Sequence, residues 1–258
     1  MNIFISPFVN ALFGIYYLIG NLGWAVVIIT ILIRLLLLPL VLPSLKSAKK
    51  MRDLQPRLKK LQEKYKNDKQ KLAQAQMELY RQEGINPLSG CLPQLLQIAV
   101  LLLFFSAFNV VTGLAEGRVG VEDVNRHLIS NFQITEGFAF NKTFFGADIT
   151  QTPSRIFNGG LDLNIILPLI LLLGSGVMQY LVSKLMTPNP KASEQLVDKT
   201  EDKEDDMMAA MRTQTTYFMP IMTVIIGWNF SLGVLIYWFM NSLVMLVQQV
   251  VTDKFAKV

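Results

Sequence analysis

The sequence predicts an all-α integral membrane protein with five transmembrane helices, its N-terminus outside and its C-terminus in the cytoplasm, and a cytoplasmic antiparallel helical hairpin. Three observations carry this reading. The 258 residues are 52% hydrophobic and 17% charged, against about 25% charged in ordinary soluble domains. The charges are segregated: residues 1–43 hold only Arg34, and residues 86–113, 163–183 and 217–252 hold none. A hydrocarbon core about 30 Å thick takes about 20 apolar residues as helix, so stretches of this length and character are spans. Finally, residues 44–85 carry twelve Lys/Arg against five acids, and short cytoplasmic loops are where basic residues accumulate.

Taken in order, residues 1–20 are uncharged, with Phe4, Phe8, Leu12, Ile15, Tyr16 and Ile19 at helical spacing. They read as an amphipathic helix lying in the membrane interface. The rival, a signal peptide, needs a basic n-region and a small-x-small cleavage site that are absent here. The remainder, 21–258, forms the five-span core. The first span covers about 24–42. In the hairpin, 44–85, Leu45, Ala48, Met51, Leu54, Leu58, Leu61 and Tyr65 recur every three or four residues, the period of a helix with one apolar face. Asn67-Asp68 marks a turn, Leu72, Ala75, Leu79 and Tyr80 resume the period, and Gly84 ends it.

The second span covers 92–111, and residues 114–160 form a polar, aromatic, Gly-containing connection outside with four Lys/Arg. The third span covers 163–186. An acidic cytoplasmic loop, 187–216, follows, densest at KTEDKEDD (199–206). The 36 uncharged residues 217–252 would make a helix of about 54 Å, too long for one crossing. The Gly227-Trp228-Asn229-Phe230-Ser231 stretch divides them into spans at 217–229 and 232–250.

Several chemistries are excluded. A single cysteine, Cys91, makes no intramolecular disulfide, and a single histidine, His127, leaves little for a His-based metal site. There is no Gly-rich phosphate loop, G-x-S-x-G elbow or H-E-x-x-H. The chain reads as a non-enzyme without a cofactor or a metal.

Arg34 is the sharpest candidate. An arginine at the centre of a span costs roughly 2.5–3.5 kcal/mol on insertion scales and normally faces protein or a water-filled cavity. The spans offer no Asp or Glu to pair with it, which favours a hydrated, positively charged cavity. The alternative is snorkelling, the side chain reaching the inner headgroups. Thr30 lies one turn earlier on the same face. Gln94 and Gln97 in the second span, Gln179 in the third, and Tyr237, Trp238, Asn241 and Ser242 in the fifth are polar enough to line the same cavity. Amides and hydroxyls also bridge packed membrane helices, and Tyr and Trp also sit in interfacial belts. In the hairpin, Lys49, Lys50, Arg52, Arg57, Lys59 and Lys60 are candidates for docking. They suit anionic lipid headgroups or ribosomal RNA and a targeting partner; the plain alternative is a determinant of topology.

These residues carry a resemblance. TILIRLLLLPL (30–40), MRDLQPRLKKLQEKYKNDKQKLAQAQMELYRQEGINPLSGCLPQLLQ (51–97) and SLGVLIYWFMNSLVMLVQQ (231–249) resemble the YidC/Oxa/Alb family of membrane-protein insertases. The likeness covers nearly the whole chain and is weakest in 114–160 and in the acidic loop. It implies a short bacterial type, without the large extracytoplasmic domain of Gram-negative members, in the plasma (inner) membrane as a multi-pass protein. It also implies an insertase and chaperone for newly made membrane proteins that works without nucleotide hydrolysis. Its hydrophilic groove would open to cytoplasm and lipid and be lined by Arg34, Thr30, Gln97, Gln179, Tyr237, Trp238 and Asn241. Nascent membrane proteins, anionic lipids, the ribosome, the signal recognition particle or its receptor, and the Sec translocon are the implied partners, with the chain acting as a monomer. The alternative from another class is a small transporter or channel with an anion pathway at Arg34.

Overall fold

The computed structural model describes residues 2–65, 68–85, 92–159, 165–186 and 214–255. The whole NPLSGC stretch (86–91), which includes Cys91, and residues 187–213 of the acidic loop lie outside the described residues, as does the side chain of Gln94.

Among the described residues ten helices follow in order: α1 Asn2–Ile19, α2 Leu22–Asp53, α3 Gln55–Lys64, α4 Lys69–Gln82, α5 Leu92–Ala115, α6 Val121–Asn125, α7 Pro153–Asn158, α8 Ile166–Met186, α9 Met219–Gly227 and α10 Leu232–Phe255. A 3₁₀ turn at Ser130–Phe132 and a two-stranded antiparallel hairpin, β1 Thr143–Phe144 with β2 Ala147–Asp148, lie between α6 and α7. A π-helical segment, Gln214–Phe218, leads into α9. The protein is thus mostly helical. Among the described residues four helices are long and apolar enough to cross a membrane: Leu22–Asp53, Leu95–Ala115, Ile166–Leu185 and Leu232–Phe255. The segment expected as the fourth span is shorter. From Gln214 to Gly227 it rises about 21 Å at 1.5 Å per residue. It is parted from α10 by a turn at residues 228–231.

The chain divides into two compact units. The first comprises Met1–Leu36, Leu96–Met178 and Met222–Val244. Here the long connection after α5 is a built structure that ties helix ends together. Asn10 of α1 donates from Nδ2 to the His127 carbonyl at 2.6 Å and accepts from the Ile129 N–H at 2.8 Å. The Asn141 N–H donates to the Tyr16 hydroxyl, and the Asn141 carbonyl accepts from the Leu22 N–H, both at 2.9 Å. At the start of α10, Leu232 and Gly233 donate to the Gln151 and Ile149 carbonyls at 2.8 Å. First-turn N–H groups have no partner inside their own helix, so these bonds meet a fixed need.

Within the protein, α1 buries one face. Ile5, Val9, Leu12, Phe13 and Tyr16 are buried, whereas Phe4 and Ile19 are exposed. The cause is a long-range aromatic cluster. Phe140 packs against Phe13 and Tyr16 with ring centroids 5.1 and 4.9 Å apart, and Phe138 and Phe132 close the rest. Helical period alone does not say which of two overlapping apolar faces such partners will choose.

The second unit comprises Leu37–Leu95, Gln179–Ile221 and Met245–Val258. α2 continues as one helix past the expected end near residue 42, through Pro39 and Pro43, to Asp53. The break comes at Leu54, because Pro56 in the first turn of α3 has no N–H to bond back to Arg52 and its ring crowds that carbonyl. Leu54, Leu58, Leu79, Tyr80 and Ile85 then form one buried cluster, with Met51 and Leu61 packed against it. The start of α3 therefore meets the end of α4, the antiparallel arrangement, and Arg57 pairs with Glu83 across it. Asp68 caps α4 by accepting from the Lys71 N–H at 3.0 Å. At the other end Gly84, at φ +63°, lets Ile85 bond back to the Tyr80 carbonyl at 2.8 Å while the Ile85 side chain joins the cluster. This is a Schellman ending, which needs a left-handed residue at that place.

Gly233 has a packing reason. A Cβ at this position would overlap the ring of Phe108, which is fully buried. Overpacking of this kind costs about 1–3 kcal/mol. Gly233→Ala should lower the thermal midpoint in detergent, and Phe108→Leu in the same chain should recover part of the loss by making room. Strictly additive destabilisation by the two changes would contradict the contact.

Candidate functional site

Arg34 is the thirteenth residue of α2, and its side chain is only 6% exposed. A guanidinium buried there needs acceptors for donors that do not lose their protons. Nε donates to Asn241 Oδ1 of α10 at 2.5 Å, and Nη2 donates to Gln97 Oε1 of α5 at 2.7 Å. The side chain is therefore directed at neighbouring helices and does not extend along its own helix toward headgroups. Gln97 in turn donates from Nε2 to the Tyr237 hydroxyl at 3.4 Å. The bond sets the sense of the amide, with the NH₂ toward the phenol and the oxygen toward the guanidinium. Gln97 is half-buried, whereas Asn241 and Tyr237 are buried.

Tyr237 and Asn241 are four residues apart on α10, so both face the same way, one turn above the other. The Tyr237 ring stacks on Phe104 with centroids 4.3 Å apart and planes at 12°, and Phe104 stacks on Phe108 at 5.8 Å. This column fixes the phenol laterally, and the hydroxyl is then held against Gln97.

The remaining candidates are distributed differently. Thr30 is fully buried one turn from Arg34, and its hydroxyl donates to the Val26 carbonyl of its own helix at 2.6 Å. Trp238, about 100° around α10 from Tyr237, is half-buried and packs against Phe230 with centroids 6.1 Å apart. Gln179 belongs to the second unit. So do the hairpin cations. Lys49 donates to the Asp253 carbonyl at 3.0 Å, Arg52 pairs with the Asp253 carboxylate, and Arg57 pairs with Glu83. Lys59 and Lys60 are exposed and Lys50 is half-buried. Asp253 also accepts from Gln249 Nε2 at 2.9 Å.

Sequence reasoning passed over Phe104 and Phe108, the platform under Tyr237. Their spacing of four residues in an uncharged span was a visible signal, but it is the same signal that any packed membrane helix gives. It also passed over Gly233, whose lack of a side chain admits Phe108.

The arrangement is a cation held in an apolar frame by three helices. Among the described residues no cluster of His, Cys, Asp and Glu is grouped to hold a metal. The site suits recognition of negative or polar groups.

The model of the 60Kd inner membrane protein family matches residues 14–257. The chain belongs to this family, that of the YidC/Oxa insertases. It is 33% identical over 238 residues to a membrane protein insertase YidC of Streptomyces avermitilis, covering 89% of this chain and 51% of the relative. It is 31% identical over 253 residues to the YidC of Campylobacter jejuni, covering 98% of this chain and 38% of the relative. The chain thus spans about half, or less, of the length of these curated relatives. Among solved structures, the crystal structure of an active YidC insertase with its first transmembrane domain resolved is similar at a TM-score of 0.55 and 24% identity. That match covers 94% of this chain and 44% of the other, and it shows that the YidC fold is shared. With its long apolar helices, the chain is a multi-pass protein of the bacterial plasma (inner) membrane.

Proposed function

We propose that this chain inserts newly made membrane proteins into the bacterial inner membrane and helps them fold. The observation that carries the reading is Arg34, a permanent cation deep in an apolar helix, bonded to the side-chain amides of Asn241 and Gln97 on two other helices. Such a site attracts the polar or acidic segment of an inserting protein and lowers the barrier to its passage. The apolar span of the same substrate then moves into lipid, with a driving force on the order of 0.8 kcal/mol per buried CH₂. No nucleotide hydrolysis enters this scheme. Arg34, Gln97, Tyr237 and Asn241 form the polar wall, with Thr30 and Trp238 as further members of a groove open to cytoplasm and lipid. Five spans run N-out to C-in around it. Residues 1–20 lie at the outer interface, 114–160 outside, and 44–85 and 187–216 in the cytoplasm. The exposed Lys59 and Lys60 of the hairpin meet anionic lipid or a targeting partner, the ribosome, the signal recognition particle or its receptor, or Sec.

Two experiments test the proposal. In reconstituted vesicles, Arg34→Ala should impair insertion of a single-span substrate, Arg34→Glu should impair it more, and Arg34→Lys should retain most activity. The defect should grow with the number of acidic residues in the substrate's translocated tail. High salt should weaken the wild-type preference only modestly, since buried charges are screened less than surface ones. Equal insertion of acidic and neutral tails by wild type and Arg34→Ala would sink the role given to charge, and selective ion flux without insertion would favour a channel instead.

The second is topological. With Cys91 removed, a cysteine at position 60 should be labelled only from the cytoplasm and one at position 140 only from outside. The reverse pattern would overturn the orientation.

A further inference from the structure

The turn that joins β1 to β2 carries an unexpected residue. Phe144 pairs with Ala147, so the loop holds two residues, Phe145 and Gly146, at φ +46° and +83°. Positive φ at both places makes a type I′ turn, whose first position normally takes Asn, Asp or Gly, since a bulky side chain is strained there. Among the described residues Phe145 is the one non-glycine with a positive φ. Burial inside the protein does not offset that strain, because the side chain is 73% exposed. Strain of this kind persists where the surroundings hold it in place for a use.

The turn is fastened to the start of α2. Asn21 donates from Nδ2 to the Thr143 carbonyl at 2.9 Å and accepts from the Trp24 N–H at 3.2 Å. A Cβ on Gly23 would overlap the buried Phe144, whose ring meets that of Trp24 edge-on at 5.4 Å. Phe145 is thereby set beside the same indole, with centroids 6.2 Å apart. Trp24, 46% exposed, opens an outward face of α2 that runs through Ile28, Ile31 and Leu35, one helical period apart. On a helix long and apolar enough to cross a membrane, an exposed apolar face meets lipid. The ion pair of Lys142 with Asp148 lies at the base of the two strands, away from the tip.

We propose that Phe145 and Trp24 form an interfacial anchor whose ligand is lipid, the Phe145 ring entering the headgroup and upper acyl region of the leaflet where α2 begins. Transfer of the exposed ring out of water offsets the strain of the turn, and this accounts for phenylalanine where asparagine would suit the backbone better. Tryptophan is enriched at the same depth. The anchor stands ten residues before Arg34, about 15 Å along the helix, so it sets that residue near the middle of a hydrocarbon core about 30 Å thick. It requires neither the insertase reading nor a particular orientation of α2.

The test places the full chain in vesicles of phosphatidylcholine and phosphatidylglycerol, doped with a phosphatidylcholine that carries a diazirine either near the headgroup or at the end of an acyl chain. Adducts are mapped by peptide. The headgroup-proximal probe should label Phe145 and Trp24, and the terminal probe should label the region of Leu35 instead. Phe145→Asn should lose most of the label at the tip, with a several-fold fall at Trp24, while its thermal midpoint in detergent stays at or above that of wild type. Phe145→Trp should keep the label. An unlabelled tip beside a labelled Leu35 would leave Phe145 to a protein partner and overturn the inference. Equal labelling of wild type and Phe145→Asn would overturn it too, because the ring would not be what holds the turn in lipid. A lowered midpoint for Phe145→Asn would do the same, since the ring would then serve the protein's own packing.

Discussion

A guanidinium cannot shed its proton to enter an apolar helix, so the protein must bring acceptors to it. For Arg34 these come from two other helices, Gln97 on α5 and Asn241 on α10. The requirement brings three helices together at one level. Insertion scales place the cost of a central arginine at about 2.5–3.5 kcal/mol. A hydrogen bond to a charged group contributes on the order of 1.5–3 kcal/mol net. Two such bonds are of the same order as the cost, which is how a span this polar at its centre remains compatible with a stable bundle.

The precision comes from outside the polar cluster. The first N–H groups of α10 are bonded to the carbonyls of Ile149 and Gln151, which fixes the helix axially. Next to that anchor Gly233 lets Phe108 approach the α10 backbone. Phe108 stacks on Phe104, and Phe104 on Tyr237, so the register set at the end of the helix reaches the phenol one turn later and Asn241 one turn after that. The segment 114–160 is therefore part of the same device. Its two-residue strands, short helices and aromatic cluster around Phe13 and Tyr16 hold the ends of α1, α2 and α10. The ion pair of Lys142 with Asp148 at 2.9 Å belongs to this frame. Burial alone would raise the Asp148 carboxyl, but the bonds from Lys142 and Thr150 outweigh it and hold it below the usual range.

What was legible in the sequence is what a single residue or a local period can declare. Arg34 stands out because charge is absent for many residues on either side, and the long apolar helices follow from the same segregation. The ends of α4 at Asp68 and Gly84 follow from local capping chemistry. Pairings between distant segments were not legible. Thr30, Gln97, Gln179, Trp238 and Asn241 all present polar atoms inside apolar stretches, and nothing in their spacing says that Gln97 and Asn241 reach Arg34 while Thr30 bonds its own helix and Trp238 turns to Phe230. The buried face of α1 escaped for the same reason, since its partners lie more than a hundred residues away. The continuation of α2 to Asp53 reflects a tertiary override: Pro39 and Pro43 each remove one donor, but the helix goes on through both.

The most direct measurement is photo-crosslinking from the substrate, which leaves every residue of the protein intact. A photoreactive residue is placed beside an acidic residue in the translocated tail of a nascent single-span protein, and the adducts are mapped by peptide. The account predicts adducts on the α2 peptide that contains Arg34 and on the α5 and α10 peptides that contain Gln97 and Asn241, present during insertion and gone once the tail is across. Adducts confined to the hairpin or to lipid, with insertion proceeding at the wild-type rate, would contradict it.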